Sequence, residues 1–505
     1  MTKKRWPTFL SSDLGILVLL ALSRIILHAL TNQQYGFHRD ELAFLDDARY
    51  LAWGYVAYPP LTPFMGHIAL ALFGASTIGA RFLSGLAQGA ALVTTGLIAR
   101  ELGGKRRAVI TAGLAVWIAP VSFIQGALFQ YVSFDYLWWV LSVYFMVRLF
   151  KSENPRWWLG VGTIIGLGMM TKYTMAFNAL GIAVAVLLTP ARRYLKSKWL
   201  WAGAGLAVLV FLPNLIWQIQ HNFISLQQLS AIHVHDVQIG RTDNFLLDQI
   251  LLGANPLTFP LWLFGLYFYF FSPSGRIYRA LGWMYVIPLA LFIAAQGRGY
   301  YLAPAYPMLL AAGAVQGERW LAQCQPWIRK TLKGLGYAAI ALGGALIVAI
   351  ALPAAPVNSA WWDFASSANP DVKEEIGWPE LAQTVAGIYE NIPEGERANT
   401  GIFTNNYGEA GAINMYGPGL GLPTALSGVN SYWLRGYGDR PPQTLIVLGY
   451  DRESIQVYFN DCRPAGRISN AYHIENEESK VADIFVCRGM VETWEEFWQD
   501  IRHFG

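Results

Sequence analysis

The sequence predicts a polytopic α-helical membrane protein that ends in a small α/β domain outside the membrane, and three observations predict it. Hydrophobic residues make up 54% of the chain and charged residues 14%, where a soluble domain carries about 25% charged residues. Apolar runs recur through residues 1–355, most of them long enough as helices to cross a hydrocarbon core of about 30 Å. Charge is also unevenly divided. Residues 1–355 hold 27 Lys/Arg and 12 Asp/Glu, a net of +15, while 356–505 hold 10 and 21, a net of −11. The overall +4 therefore conceals two parts of opposite sign. A single soluble globule is excluded, and so is disorder, which needs low hydrophobicity and high charge. The 20 Trp, 25 Tyr and 27 Phe suit membrane interfaces. Three cysteines are too few for a disulfide framework.

About eleven spans are expected, near 12–30, 82–99, 108–124, 134–150, 157–171, 174–190, 199–217, 250–271, 280–296, 302–316 and 335–352. The first follows Lys3, Lys4 and Arg5 but ends without a small-residue cleavage site. It is read as a retained helix, not a signal peptide. Twenty of the 27 cations fall in loops on the side of the N-terminus and six on the other. The positive-inside rule then places the N-terminus in the cytoplasm and 356–505 outside.

The first outside loop, 31–81, is the most informative segment. Asp40–Trp53 carries apolar residues at near-helical spacing, as expected of an amphipathic helix on the membrane surface. Tyr58-Pro59-Pro60 imposes an extended turn, and 63–74 reads as a second interfacial or re-entrant helix. Asp40 and Glu41 open the first of these helices. Carboxylates there suit the helix dipole and equally suit a general base at the lip of a membrane cavity. Residue types alone do not separate the two. His38 is a candidate hydrogen-bond partner of the acidic pair, whereas His67 reads as a packing residue.

Further polar residues sit at membrane depth. Asp135, at the outside start of the fourth span, is either a helix-capping residue or functional. Lys172 on its own reads as a residue that snorkels to headgroups, although outside-facing Lys is otherwise scarce in this chain. Arg298 lies between Gly297 and Gly299 and is followed by Tyr300 and Tyr301. Glycines allow close approach to a ligand and Arg binds phosphate bidentately, while the tyrosines alone would read as an interfacial belt. His233, His235 and Asp236 form a possible cation cluster, but i,i+2 spacing suits a strand and no second cluster supports it. No metal or other cofactor is expected, a divalent ion being the disfavoured option.

Four motifs occur in order: FHRDEL (37–42), LAWGYVAYPPL (51–61), MTKYT (170–174) and GYYLAPAYP (299–307). Together they resemble the bacterial branch of the multi-span glycosyltransferases that use polyprenyl-phosphate sugars. That group includes the protein O-mannosyltransferases of glycosyltransferase family 39 and the lipid A aminoarabinose transferases. The resemblance runs through most of 1–355 and implies an enzyme. It implies that Asp40, with Glu41 beside it, activates an acceptor hydroxyl and that Asp135 faces the same cavity. Lys172 and Arg298, with Tyr300 and Tyr301, would meet the donor phosphate and lipid. His38, Arg39, Tyr58, Pro59 and Pro60 would support the loop. A single displacement implies inversion at the anomeric carbon. The location implied is the bacterial inner membrane, with the C-terminal domain periplasmic.

Within 356–505, Trp378–Tyr389 reads as a helix and 444–448 and 484–486 as strands. The Asn-, Gly- and aromatic-rich stretches 404–413 and 427–433 are either turn chemistry or a sugar-binding surface. Cys462 and Cys487 are free to pair in an oxidising compartment, while Cys324 is expected to stay reduced. No GxxxxGK[ST] loop occurs, which argues against ATP-driven transport. The expected partners are a polyprenyl-phosphate sugar, membrane lipids and a hydroxyl acceptor (lipid A, protein or envelope glycan), with no nucleic acid. The alternative is a lipid-linked-sugar or solute transporter that breaks no bond.

Overall fold

The structure, a computed structural model, describes residues 12–505. Lys3, Lys4 and Arg5, used above to orient the first span, lie outside the described residues. The chain divides into two compact units. One comprises the chain up to Thr31, Arg81–Gln220 and His233–Leu352; the other comprises Asn32–Ala80, His221–Ile232 and Pro353–Gly505. The first outside loop thus belongs to the same unit as the C-terminal domain, a grouping that residues more than 300 positions apart do not announce.

All eleven predicted spans are helical in the first unit. Six are long and apolar enough to cross a bilayer: Asp13–Thr31, Thr77–Glu101, Tyr131–Ser152, Lys198–Gln220, Pro273–Ala294 and Pro326–Ala351. Two more are bent pairs. Met175–Leu188 turns into Pro190–Lys196 by 102°, and Phe245–Ala254 into Pro256–Phe270 by 80°. Both bends fall at a proline, which starts a helix readily but cannot continue one from the preceding turn. The remaining three are Arg106–Trp117 with Pro120–Ile124, Trp157–Met169, and Tyr306–Gln323. Trp157–Met169 has 13 residues, about 20 Å of helix, short of a hydrocarbon core. The helices Lys198–Gln220 and Pro326–Ala351 present most of their apolar residues outward, among them Val208, Leu209, Ile219, Leu335 and Leu342. An apolar exterior of this extent is stable only in lipid.

One chain of polar groups inside the first unit is satisfied internally, as lipid favours. Arg24, in the first span, is buried; its guanidinium donates to the Ser122 carbonyl and, at 3.0 Å, to the Ser122 hydroxyl. That hydroxyl donates to Gln88 at 2.8 Å, and the Gln88 amide donates to the Ser133 carbonyl at 2.8 Å.

The second unit contains a five-stranded mixed sheet. Its strands are β1 (Thr400–Thr404), β2 (Ala425–Ser427), β3 (Thr444–Leu448), β4 (Phe459–Arg467) and β5 (Asp483–Met490), in the order β2-β1-β3-β5-β4. β1 pairs in parallel with β2 and β3, while β5 runs antiparallel to β3 and β4. Every residue of β1 and β3 is buried, as expected of central strands covered on both faces. The expected helix appears as Trp378–Glu390. Cys462 and Cys487 stand opposite each other on β4 and β5 and are joined by a disulfide.

Candidate active site

In the second unit, FHRDEL builds the start of a helix. His38 is the residue before helix Arg39–Asp47. Its ring Nδ1 accepts from the Asp40 backbone N–H at 3.1 Å, and its own N–H donates to the Glu41 carboxylate at 2.8 Å. This is a reciprocal capping box in which His replaces the usual Ser or Thr. His38 therefore supports the acidic pair through the backbone; its ring lies 4.0 Å from the Asp40 carboxylate. Glu41 is fully buried and shapes the helix end. Asp40 is the accessible member, its side chain 34% exposed. Its Oδ1 accepts from the Tyr407 hydroxyl at 3.0 Å, and Arg39 lies 3.9 Å away. Arg39 pairs with Glu477 and lies over the Tyr407 ring.

The helix stops at Asp47, earlier than the expected Trp53, because the chain turns at Ala48-Arg49-Tyr50. Its apolar stripe meets helix Tyr407–Tyr416 of the same unit. A Cβ at Gly411 would come within 2.9 Å of the Leu42 side chain, so only glycine permits this approach. At the far end, Arg435 pairs with Asp46 at 2.6 Å and with Asp47, stacks on Tyr50 and Tyr432 at 4.3 Å each, and leaves both acids almost fully buried. Asn414 donates to Asp46 at 3.0 Å and Tyr58 to Asp47 at 2.6 Å. Burial pushes the Asp47 carboxyl up, against the pull of Arg435. Tyr58 thus locks the turn to the helix, and Pro60 starts helix Leu61–Phe73. Asp46, Asp47, Arg435 and Tyr407 were not among the predicted site residues. The acids were hidden by their place in an apparently solvated helix face, and the Arg and Tyr by sequence distance.

The Asn-rich stretches resolve mainly as turn chemistry. Asn406 caps helix Tyr407–Tyr416 in a second capping box with Glu409, and the Asn405 side chain donates to the Gly449 carbonyl at 2.9 Å. Tyr407, in the first of these stretches, is the residue that reaches Asp40.

In the first unit, the structure gathers Asp135, Lys172, Tyr300 and Tyr301. The Lys172 ammonium sits over the rings of Tyr301, Tyr300 and Tyr131 at 4.5, 4.8 and 5.0 Å. It is 8% exposed, so it does not snorkel. Asp135 is buried beside Lys172, Trp139 and Thr174, and its Oδ1 lacks a hydrogen bond. The loop bearing Lys172 is fixed on both flanks. Thr171 accepts from Trp138 at 2.9 Å, and Tyr173 accepts from Gln218 at 2.7 Å.

Arg298 is not a free cation. Its Nε and one terminal nitrogen grip the Asp236 carboxylate at 2.5 and 2.9 Å, with Arg241 at 3.6 Å. The sequence reading placed Asp236 in a candidate metal cluster. Here it is an ion-pair partner, and His233 and His235 are exposed on helix Ile224–Gln238, where i,i+2 residues diverge. Among the described residues no cluster of three metal-ligating side chains occurs. Gly299 serves packing: a Cβ there would lie 2.2 Å from the Asp248 carboxylate. It accepts from Gln249 through its carbonyl at 2.9 Å and so sets the turn from which Tyr300 and Tyr301 project.

Comparison with known proteins bears out the resemblance carried by the four motifs. A family model described as dolichyl-phosphate-mannose-protein mannosyltransferase matches residues 57–217, a range that includes Pro59, Asp135 and Lys172. The lipid A galacturonosyltransferase RgtD of Rhizobium johnstonii is 26% identical over 265 residues, 50% of this chain and 55% of that protein. The match thus spans about half the length of that relative. Among solved structures, ArnT from Cupriavidus metallidurans aligns over 94% of this chain and 98% of its own at 13% identity. Its TM-score is 0.60 in the apo state and 0.57 bound to undecaprenyl phosphate. The fold is that of ArnT.

Proposed function

We propose that this chain is an inverting glycosyltransferase of the bacterial inner membrane. It moves a sugar from a polyprenyl-phosphate donor to a hydroxyl acceptor on the periplasmic face, with its N-terminus in the cytoplasm and its sheet domain outside. Asp40 takes the acceptor's proton as the acceptor oxygen bonds to the anomeric carbon. The bond from that carbon to the phosphate oxygen breaks on the opposite face, and polyprenyl phosphate leaves with the electron pair. Lys172 stabilises the charge that develops on that phosphate. The edge of Arg298 not held by Asp236 adds further N–H donors. Tyr300 and Tyr301 hold Lys172 and border the lipid, and Asp135 orients Lys172.

The observation that carries this reading is the setting of Asp40. It is an accessible carboxylate, oriented by a tyrosine and a capped helix start, which is what a general base needs. The likeness to lipid A and dolichyl-phosphate-dependent transferases supports the donor class, and of the possible acceptors it favours lipid A. The test is transfer of labelled sugar from a polyprenyl-phosphate donor by purified protein in nanodiscs. Asp40→Asn should lower turnover by about 10²–10⁴ without a change in thermal midpoint. Near-normal turnover by that folded variant would remove Asp40 from the chemistry. Donor that crosses the bilayer intact, with no sugar released, would point to a transporter instead.

A further inference from the structure

The sheet domain contributes one side chain to the carboxylate assigned above as the base. We propose that Tyr407 is a positioning residue for Asp40, so that the C-terminal domain is part of the catalytic machinery and not an appendage. The proposal rests on Asp40 acting as the base.

The argument starts from how Tyr407 is placed. β1 ends at Thr404, Asn406 caps the next helix, and Tyr407 is the first residue of that helix. The capping box fixes the helix start. The packing of Gly408 against Arg39, where an added Cβ would come within 3.0 Å of the Arg39 side chain, and of Gly411 against Leu42 sets it alongside helix Arg39–Asp47. From that position the hydroxyl donates to Asp40 Oδ1 at 3.0 Å. Its partly buried setting, and next the Asp40 charge, hold the phenol well above its ordinary range. It therefore remains a donor throughout any working pH. Within this unit Arg39, at 3.9 Å, and His38, at 4.0 Å, also lie near the carboxylate. Arg39 is occupied by Glu477 and His38 by its capping bond. Tyr407 is thus a neutral donor that directs one carboxylate oxygen. Arg435 secures the opposite end of the same helix through Asp46 and Asp47. Both ends of the helix that bears Asp40 are therefore gripped by residues of the C-terminal domain.

The test uses the full chain in nanodiscs. Tyr407→Phe keeps the ring over which Arg39 lies and removes only the donor. A donor to a carboxylate stabilises its charged form, so its loss should move the acid limb of the kcat/KM profile up by roughly half to one pH unit. With the carboxylate less well oriented, kcat should fall roughly 5- to 10-fold while KM for the donor stays within about twofold. A purely structural tyrosine would change the thermal midpoint without moving the pH limb. Should Tyr407→Phe not fold, 3-fluorotyrosine at position 407 preserves the shape and strengthens the donor, and the acid limb should then move down. A profile that superimposes on the wild type for either substitution overturns the proposal. If Asp40→Asn is inactive in that case, the base assignment stands and only the role of Tyr407 falls. If Asp40→Asn is active, both fall.

Discussion

The two units hold their charged residues by opposite means. In the second unit the notable charges are carboxylates, and hydroxyl, amide and guanidinium donors hold them: Tyr407 on Asp40, Asn414 on Asp46, and Tyr58 and Arg435 on Asp47. In the first unit they are cations. Lys172 rests on the faces of three tyrosines and Arg298 is clasped by one carboxylate. Donors around an acid favour its charged form and aim it. Aromatic faces around an ammonium hold it in place at low dielectric without neutralising its charge. The first arrangement suits proton acceptance and the second suits an anion that arrives and departs. The contrast also separates charges that build the fold from an exposed one: Asp46 and Asp47 are buried against Arg435, whereas Asp40 remains accessible.

The largest expected effect tests that separation. Arg435→Met leaves two adjacent buried carboxylates without their cation and should destabilise the second unit by about 3–5 kcal/mol, measured as a fall in thermal midpoint and in folded yield. An unchanged midpoint would mean that the cluster contributes nothing to holding the helix of Asp40. Lys172→Met tests the other side. The tyrosine contacts themselves are worth only about 0.5–2 kcal/mol, so the midpoint should change little. Turnover should drop by roughly 10²–10³ if the ammonium stabilises a leaving phosphate. A variant that keeps its turnover would make Lys172 a packing residue.

The smallest effect concerns pH. Burial pushes the Glu409 carboxyl up to about 7, against the hydrogen bonds it accepts from Asn406 and Asn405. A carboxyl raised on folding binds its proton more tightly in the folded state. Its contribution to stability is therefore complete below its unfolded value, near 4.5, and is lost as pH rises through about 7. Glu409→Gln mimics the protonated form. It should match the wild type at pH 4.5 and exceed it by roughly 1–3 kcal/mol at pH 8, read as a flattened dependence of thermal midpoint on pH. Parallel wild-type and variant curves would show that Glu409 titrates normally.

Much of this was legible in the chain. The apolar runs located the eleven predicted spans of the membrane unit, because lipid demands continuous apolar helix and sequence records it directly, but not helix Ile224–Gln238. What the runs did not show is where prolines bend them, as at Pro190 and Pro256. The strands at 444–448 and 484–486 were readable from their β-branched and aromatic residues. Asp40 and Glu41 were visible as a pair, but their different fates depend on His38 acting as a helix cap, an uncommon role for that residue. Arg298 was read as facing a ligand because nothing local marks Asp236, 62 residues earlier, as its partner. The grip of Tyr407 and Arg435 on helix Arg39–Asp47 joins residues more than 360 positions apart, and no periodicity or motif reports such a pairing.

The central claim is that a bond at the anomeric carbon is broken and remade in one displacement. It is tested most directly by incubating the purified protein with an isotopically labelled polyprenyl-phosphate sugar and lipid A in nanodiscs, and following both products by NMR. Glycosylated acceptor and free polyprenyl phosphate should form in equal amounts, with the anomeric configuration opposite to that of the donor. Retained configuration, or labelled donor recovered intact from the far side of the bilayer, would contradict the account.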